Sequence, residues 1–428
     1  MLIEFRVANF RSIREEQVLS LVASRADKDL SESLIKADYP GMANTDYLRG
    51  AALYGHNASG KTNLLLAFEF LADLVKNSAV GLMPGEATGA EPFKLDDSSS
   101  AEPCRFEVSF IASGVRYLFG AAVTSERVVE EFLVSYPKGL PQKWYRRTYD
   151  PNTRAYAWDK PSSFFRADES LRPKVRENSL FLSVGPQFND SQLTPVFQWF
   201  NNHVRFLKLS CDSALHPLYT AKRLSSGKGT RGIMNLLRSA DIAIIEAVVS
   251  ERDVDLIGLR EQLPPKVFAD LTNDANKKIS LEVALSHQAG DHPPVQLNFA
   301  KEESAGTRRY FALAGPWMDI LENGVLVFID EIETSLHPLL VKELVRLIQD
   351  PAANPKGAQI IFTTHSPTLL DTNLLRRDQI WFTEKTEEGT TRLYPLTDYQ
   401  PRKGEAISKG YLAGRYGGVP FIPEGLKI

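Results

Sequence analysis

One octapeptide constrains this chain more than any other feature. Gly55-His56-Asn57-Ala58-Ser59-Gly60-Lys61-Thr62 fits the pattern G-x-x-x-x-G-K-[ST]. Its flanks provide the setting that pattern requires. Gly50 to Tyr54 is a short apolar run of strand length, and after the loop Leu64, Leu65, Ala67, Phe68, Leu71, Leu74 and Val75 recur at helical spacing. Strand, glycine-bounded loop and helix in that order make a cradle for phosphate. Glycines let backbone N–H groups wrap an anion, and the helix N-terminus adds partial positive charge. Lys61 is expected to reach the outer phosphates and the Thr62 hydroxyl to ligate Mg²⁺. The expected nucleotide contacts run through Gly55, His56, Asn57, Ala58, Ser59, Gly60, Lys61, Thr62 and Asn63.

A phosphate site of this kind needs a carboxylate from another strand. Val325 to Ile329 is strongly apolar and ends in Asp330-Glu331. Asp330 is expected to hold the metal through water, and Glu331 to polarise the attacking water as general base. A helix is expected at Leu339 to Gln349 and a strand at Gln359 to Thr364, followed by His365-Ser366. Glu303-Ser304-Ala305-Gly306-Thr307 stands about 25 residues before the acidic strand end.

In this order the pieces resemble the ABC-type ATPases of the RecF and SMC kind. The resemblance implies an α/β fold, an ABC-type P-loop ATPase head with a β-rich lobe and a helical insertion. It implies ATP and Mg²⁺ as cofactors, and a homodimer or higher homo-oligomer built as an ATP sandwich. Ser304 and Gly306 of one copy would contact the γ-phosphate held by another. His365 takes the place of the switch histidine, and Ser335-Leu336-His337-Pro338 that of the loop crossing the dimer interface. Arg11, after Asn9-Phe10, stands where the family has an arginine near the phosphates. Gln187 is the candidate for the glutamine that joins the metal to the other lobe. On this reading Glu331, Lys61 and His365 are catalytic, while Thr62, Asp330 and Gln187 serve the metal.

The signature departs from the commonest ABC form, with Glu303 before Ser304 and Thr307-Arg308-Arg309 after Gly306. The stretches Leu236 to Asp241, Gln379 to Glu384 and Tyr411 to Phe421 look like a bacterial subgroup of stand-alone ATPases, similar to the AriA and RloA types. These are related to overcoming-lysogenisation-defect ATPases without their Toprim nuclease domain. That likeness implies a sensor or scaffold in an anti-phage, abortive-infection system, controlling a separate effector (toxin or nuclease), with a phage protein as trigger. Only 63 residues follow His365 and none forms Asp-x-Asp, so a nuclease in cis is not expected. Glu384, Glu387 and Glu388 read as a solvated turn.

Between the motifs, residues 84–103 read as an exposed loop. Cys104 to Ser113, Val115 to Thr124, Glu130 to Tyr136 and Lys143 to Tyr149 read as antiparallel strands, and Leu193 to Asn201 and Gly232 to Ser239 as helices. The expected organisation is an ATPase core at 1–80, a β-rich lobe at 81–190, a helical or mixed insertion at 191–285 and the rest of the core at 286–428.

Composition bears on partners. Lys+Arg 50 against Asp+Glu 53 leaves a net charge of −3, so no whole-chain basic field attracts nucleic acid. Lys143-Trp144-Tyr145-Arg146-Arg147 is a local basic cluster, which keeps a RecF-like DNA-binding repair ATPase as the alternative. Two cysteines are too few for a disulfide framework, and no apolar run approaches the roughly 18 residues that span a bilayer. The expected location is the cytoplasm, without membrane.

Overall fold

The computed structural model describes residues 1–36, 39, 41–166, 169–209, 217–240, 243–253, 279–334, 336–402 and 404–419. Asp241, Ser335, Pro420 and Phe421 of the quoted motifs lie outside them. The chain divides into two compact units, one of Met1–Ser210, Leu321–Glu333 and Val341–Ile428, the other of Cys211–Ile320 and Thr334–Leu340.

In chain order the first unit opens with β1 (Leu2–Ala8), β2 (Gln17–Ser20), the short pair β3 (Ile35–Lys36) and β4 (Asp46–Tyr47), and β5 (Gly50–Tyr54). Helix α1 (Lys61–Asn77) and the short α2 (Asp97–Ala101) follow. Five strands come next: β6 (Cys104–Ala112), β7 (Val115–Val123), β8 (Val128–Tyr136), β9 (Gln142–Asp150) and β10 (Ala155–Trp158). Then come α3 (Phe181–Gln187), α4 (Leu193–His203) and β11 (Val204–Lys208). The second unit holds α5 (Leu218–Ser225), α6 (Thr230–Ala240), β12 (Ile244–Asp253), β13 (Ile279–Ala289), β14 (His292–Asn298) and most of α7 (Ala305–Asn323). The chain returns to the first unit with β15 (Leu326–Asp330), α8 (Pro338–Gln349), β16 (Gln359–Thr363), β17 (Ile380–Lys385), β18 (Thr391–Pro395) and α9 (Ile407–Leu412).

Two sheets organise the first unit. The six-stranded sheet runs β11-β15-β16-β5-β17-β18, parallel except for β18. The β5 strand is buried at every position and lies centrally in it, as a parallel strand covered on both faces should. The seven-stranded sheet β10-β9-β8-β7-β6-β1-β2 is antiparallel. Helix α1 is held between the two: Phe68 packs on Phe5 of β1 at 4.9 Å and on Phe328 of β15 at 4.5 Å. A helix apolar on two sides is what such a place requires, and Leu64, Leu65, Leu71, Leu74 and Val75 are all buried.

The structure departs from the sequence reading in specific places. Residues 84–103 are not simply an exposed loop: Ala90 and Phe93 are buried, and Asn9 ties the segment down by accepting from Phe93 N and donating to Ser99 O and Glu102 O. Glu384 stands in β17 rather than in a solvated turn, and its carboxylate accepts from Gly418 N. Strands β11, β17 and β18, which the sequence reading did not mark as strands, extend the central sheet on both sides.

In the second unit β12, β13 and β14 form an antiparallel sheet. Helix α7 contains Pro316, whose missing N–H leaves a carbonyl of the preceding turn without its helical donor. Thr220 of α5 repairs the gap: its hydroxyl donates to Phe311 O and Ala312 O and accepts from Gly315 N. The helix that follows Glu303-Ser304 is thereby held through its proline. Among the described residues, no helix is long and apolar enough to cross a membrane.

Candidate nucleotide site

Chain reversal after β5 requires left-handed backbone at Ala58 (φ 63°) and Gly60 (φ 101°) before α1 begins. Glycine at 60 is also a packing demand. A Cβ there would stand 2.0 Å from Thr391 Oγ1 on β18, and one at Gly55 would stand 2.4 Å from Thr383 Oγ1 on β17. The loop thus rests on a platform of hydroxyls. Ser59 Oγ bonds Thr383 Oγ1 at 2.6 Å, and Thr391 Oγ1 donates to Ser59 O at 3.1 Å. Asn63 Nδ2 donates to Ser12 Oγ at 2.6 Å, and Ser12 Oγ meets Thr391 Oγ1 at 2.7 Å. His56, Asn57 and Ala58 form the outer, accessible part of the loop.

Lys61 closes the loop from within. Its ammonium donates to Gly55 O at 2.8 Å and His56 O at 3.1 Å, and the residue is only 6% exposed. Burial lowers its pKa, while Asp330, Glu331 and Glu333 pull it upward. These bonds hold the cation where a phosphate would compete for it.

The acids converge from β15. Thr62 Oγ1 donates to Asp330 at 3.0 and 3.2 Å, and Thr363 Oγ1 of β16 donates to the same carboxylate at 2.6 Å. Strand β16 lies between β5 and β15 in the sheet, so its last residue bridges their ends. Thr363 Oγ1 also accepts from Glu331 N at 2.7 Å, and Glu331, in left-handed backbone (φ 49°), is exposed at the strand end. Glu333, which the sequence reading passed over, accepts from His365 N at 2.6 Å. Its Oε2 is buried without a hydrogen-bond partner among the described residues. Its one sequence signal was proximity to Asp330-Glu331, since it lies in the turn just beyond β15 rather than in the strand. His365 is half-buried, and burial and Lys61 lower its pKa against the pull of Glu333, Glu331 and Asp330.

Other expected residues are placed differently. Arg11, again in left-handed backbone, gives its guanidinium to Glu91 at 2.8 Å, and it is the next residue, Ser12, that touches the loop's hydroxyl network. Gln187 is not brought to Thr62 or Asp330 by any hydrogen bond. It ends α3, which is tied to the far end of α1: Ala79 N donates to Ser183 Oγ and Leu180 N donates to Ser78 Oγ. Helix α1 rises about 25 Å between its two ends at about 1.5 Å per residue. Ser304 and Gly306 belong to the second unit. Ser304 caps α7, accepting from Thr307 N at 3.0 Å, and both residues are exposed. The preceding Glu303 is buried and bonded to His287 Nε2 at 2.7 Å.

Mg²⁺ takes oxygen ligands and keeps several from water or phosphate. The Thr62 hydroxyl beside the Asp330 carboxylate suits it, and among the described residues no cluster of three or more histidine, cysteine or acidic side chains forms a self-sufficient metal cage. The residues present fit a cation that arrives with a phosphorylated ligand.

A parallel sheet that opens into a loop wrapped on its own lysine, with the helix threonine and a strand-end aspartate side by side, places the chain among the P-loop ATPases. More particularly, it belongs to the family described as "AAA domain, putative AbiEii toxin, Type IV TA system", whose match covers residues 51–208 and 231–371. No curated protein matches it in sequence. Among solved structures the chain is similar to the SMC head domain from Thermotoga maritima, at 11% identity and a TM-score of 0.39 over 92% of this chain and 98% of that one. An SMC head bound to the C-terminal winged-helix domain of ScpA is similar at 13% identity and 0.39, covering 92% and 97%. The recombination mediator RecF is similar at 14% identity and 0.34, covering 92% and 98%.

Proposed function

We propose that this chain binds and hydrolyses ATP, that copies of it assemble around the nucleotide, and that the assembly controls a separate effector protein in an anti-phage system. The contact between Thr62 and Asp330 carries the first part, because it joins the loop that cradles phosphate to the acid that serves the metal. Mg²⁺, when bound, neutralises phosphate charge. The chain's own residues do the rest. Loop N–H groups and the start of α1 bind the phosphates, and Lys61 trades its loop carbonyls for phosphate oxygens. Asp330 is oriented by two threonine hydroxyls that donate to its carboxylate. Glu331, exposed at the strand end, takes a proton from the attacking water. His365, on the neighbouring strand end, senses the γ-phosphate. Catalysis of this kind is positioning and electrostatic stabilisation.

The exposed Ser304 and Gly306 at the start of α7 support assembly, since a helix N-terminus with its glycine uncovered can receive the phosphate of nucleotide held by another copy. The family's description as a putative AbiEii toxin of a type IV toxin–antitoxin system supports a two-component role with a separate effector. The DNA-repair alternative finds little support in the basic cluster at 143–147. There Arg147 is 1% exposed and paired with Glu131 at 3.0 Å, and Arg146 is paired with Glu130.

The deciding experiment compares two variants. Glu331→Gln should retain ATP, accumulate dimer or larger assembly, and slow turnover by about 10²-fold or more. Lys61→Ala should lose ATP affinity instead. Phosphate release and sedimentation with ATP report both, and wild-type turnover in Glu331→Gln would remove the assigned base.

A further inference from the structure

The C-terminal run Tyr411-Leu-Ala-Gly-Arg-Tyr-Gly-Gly418 takes no part in the mechanism above, yet it folds onto the phosphate loop. After α9 the chain turns through Gly414, Gly417 and Gly418, with φ of 75°, 66° and 68°. The turn is tethered at three points, two of them on the central sheet and one on α9 itself. Glu384 Oε1 on β17 accepts from Gly418 N at 3.0 Å, Tyr411 OH donates to Gly418 O at 3.3 Å, and Tyr394 OH of β18 donates to Tyr416 O at 3.1 Å. Gly417 is there for close approach, and Gly418 lies within contact range of the phosphate loop. A Cβ on Gly417 would stand 1.8 Å from Glu384 Oε1, and one on Gly418 would lie 3.4 Å from Gly55 Cα, the first residue of the loop. Aromatic packing fastens the same place: Tyr411 meets Tyr54 at 5.5 Å and Phe382 at 5.8 Å, and Tyr54 is the residue before Gly55.

Gly55 is therefore held from two sides, by Thr383 of β17 and by the glycine turn that Glu384, the next residue of the same strand, secures. A loop that binds phosphate through backbone N–H groups works only if those groups are fixed before the ligand arrives. We propose that the turn Gly414 to Gly418 is a brace on the phosphate loop, and that Glu384 is the positioning residue that sets ATP affinity by holding it there. The inference rests on the ATP-binding reading above. Glu384 acts through Gly418 and Gly55 and need not touch nucleotide.

The test measures ATP affinity of the full chain by calorimetry, with melting of the nucleotide-free chain as control. Glu384→Ala should weaken ATP binding about tenfold while the nucleotide-free melting temperature stays at the wild-type value. Glu384→Gln, which keeps an acceptor oxygen for Gly418 N, should bind within about twofold of wild type. Should the alanine variant fail to fold, Tyr411→Phe decides the matter, because it keeps the ring packing and removes only the bond to Gly418 O. Wild-type affinity in both Glu384→Ala and Tyr411→Phe, or a glutamine variant as weak as alanine, would overturn the brace alone. A wild-type chain that bound no ATP would overturn the proposed function and the brace with it.

Discussion

Thr62 and Asp330 stand 268 positions apart in the chain and share a hydrogen bond of 3.0 Å. One opens the helix after the phosphate loop, and the other closes a strand two places away in the sheet. Nothing local to either residue brings them together. The parallel order β15-β16-β5 does so, because it lines up the carboxyl ends of the strands, where open α/β sheets carry their sites.

Asp330→Asn should separate the metal role from the structural one. Asparagine can still accept from Thr62 and Thr363, so the melting temperature should change little. The lost charge should weaken the Mg²⁺ requirement-curve midpoint about 10- to 100-fold. Phosphate release titrated with Mg²⁺ reads this directly, and an unshifted midpoint would take Asp330 out of the metal site.

The two arginines at 146 and 147 should behave very differently. Glu131 is fully buried, accepts from Arg147, Tyr145 OH, Phe181 N and Leu182 N, and so closes the N-terminus of α3. Arg147→Ala leaves that carboxylate uncompensated and should cost about 3–5 kcal/mol. Arg146 is exposed, and Arg146→Ala should cost less than about 1 kcal/mol. Urea unfolding of both variants checks the contrast; equal costs would contradict it.

His365 gives stability a pH dependence of defined sign. Its folded pKa lies below the ordinary 6.5, chiefly through burial and next through Lys61. As pH falls through 6.5 the unfolded chain takes up the proton first, so it binds more protons and stability declines. Above that window both states are neutral and the contribution is flat. The urea midpoint of wild type should therefore drop more steeply than that of His365→Gln between about pH 7.5 and 5.5. Parallel slopes would show that His365 titrates normally.

Much of the site was legible in the chain itself, because its chemistry is local. A loop of eight residues needs glycine where the sheet presses on it, lysine and threonine at its end, and a helix directly after it, and all of these are adjacent in sequence. The acidic strand end was equally plain, since an apolar run that stops at Asp330-Glu331 is a one-dimensional pattern. What only the tertiary structure decided are contacts between distant segments. Thr383, Thr391 and Ser12 form the platform beneath the loop, Glu384 holds Gly418 on Gly55, Glu333 holds the backbone at His365, and Glu91 takes Arg11. Single hydroxyls and carboxylates carry no periodicity, so sequence spacing cannot say what they face. Their meaning comes from sheet order, which sets strands side by side that the chain keeps hundreds of residues apart.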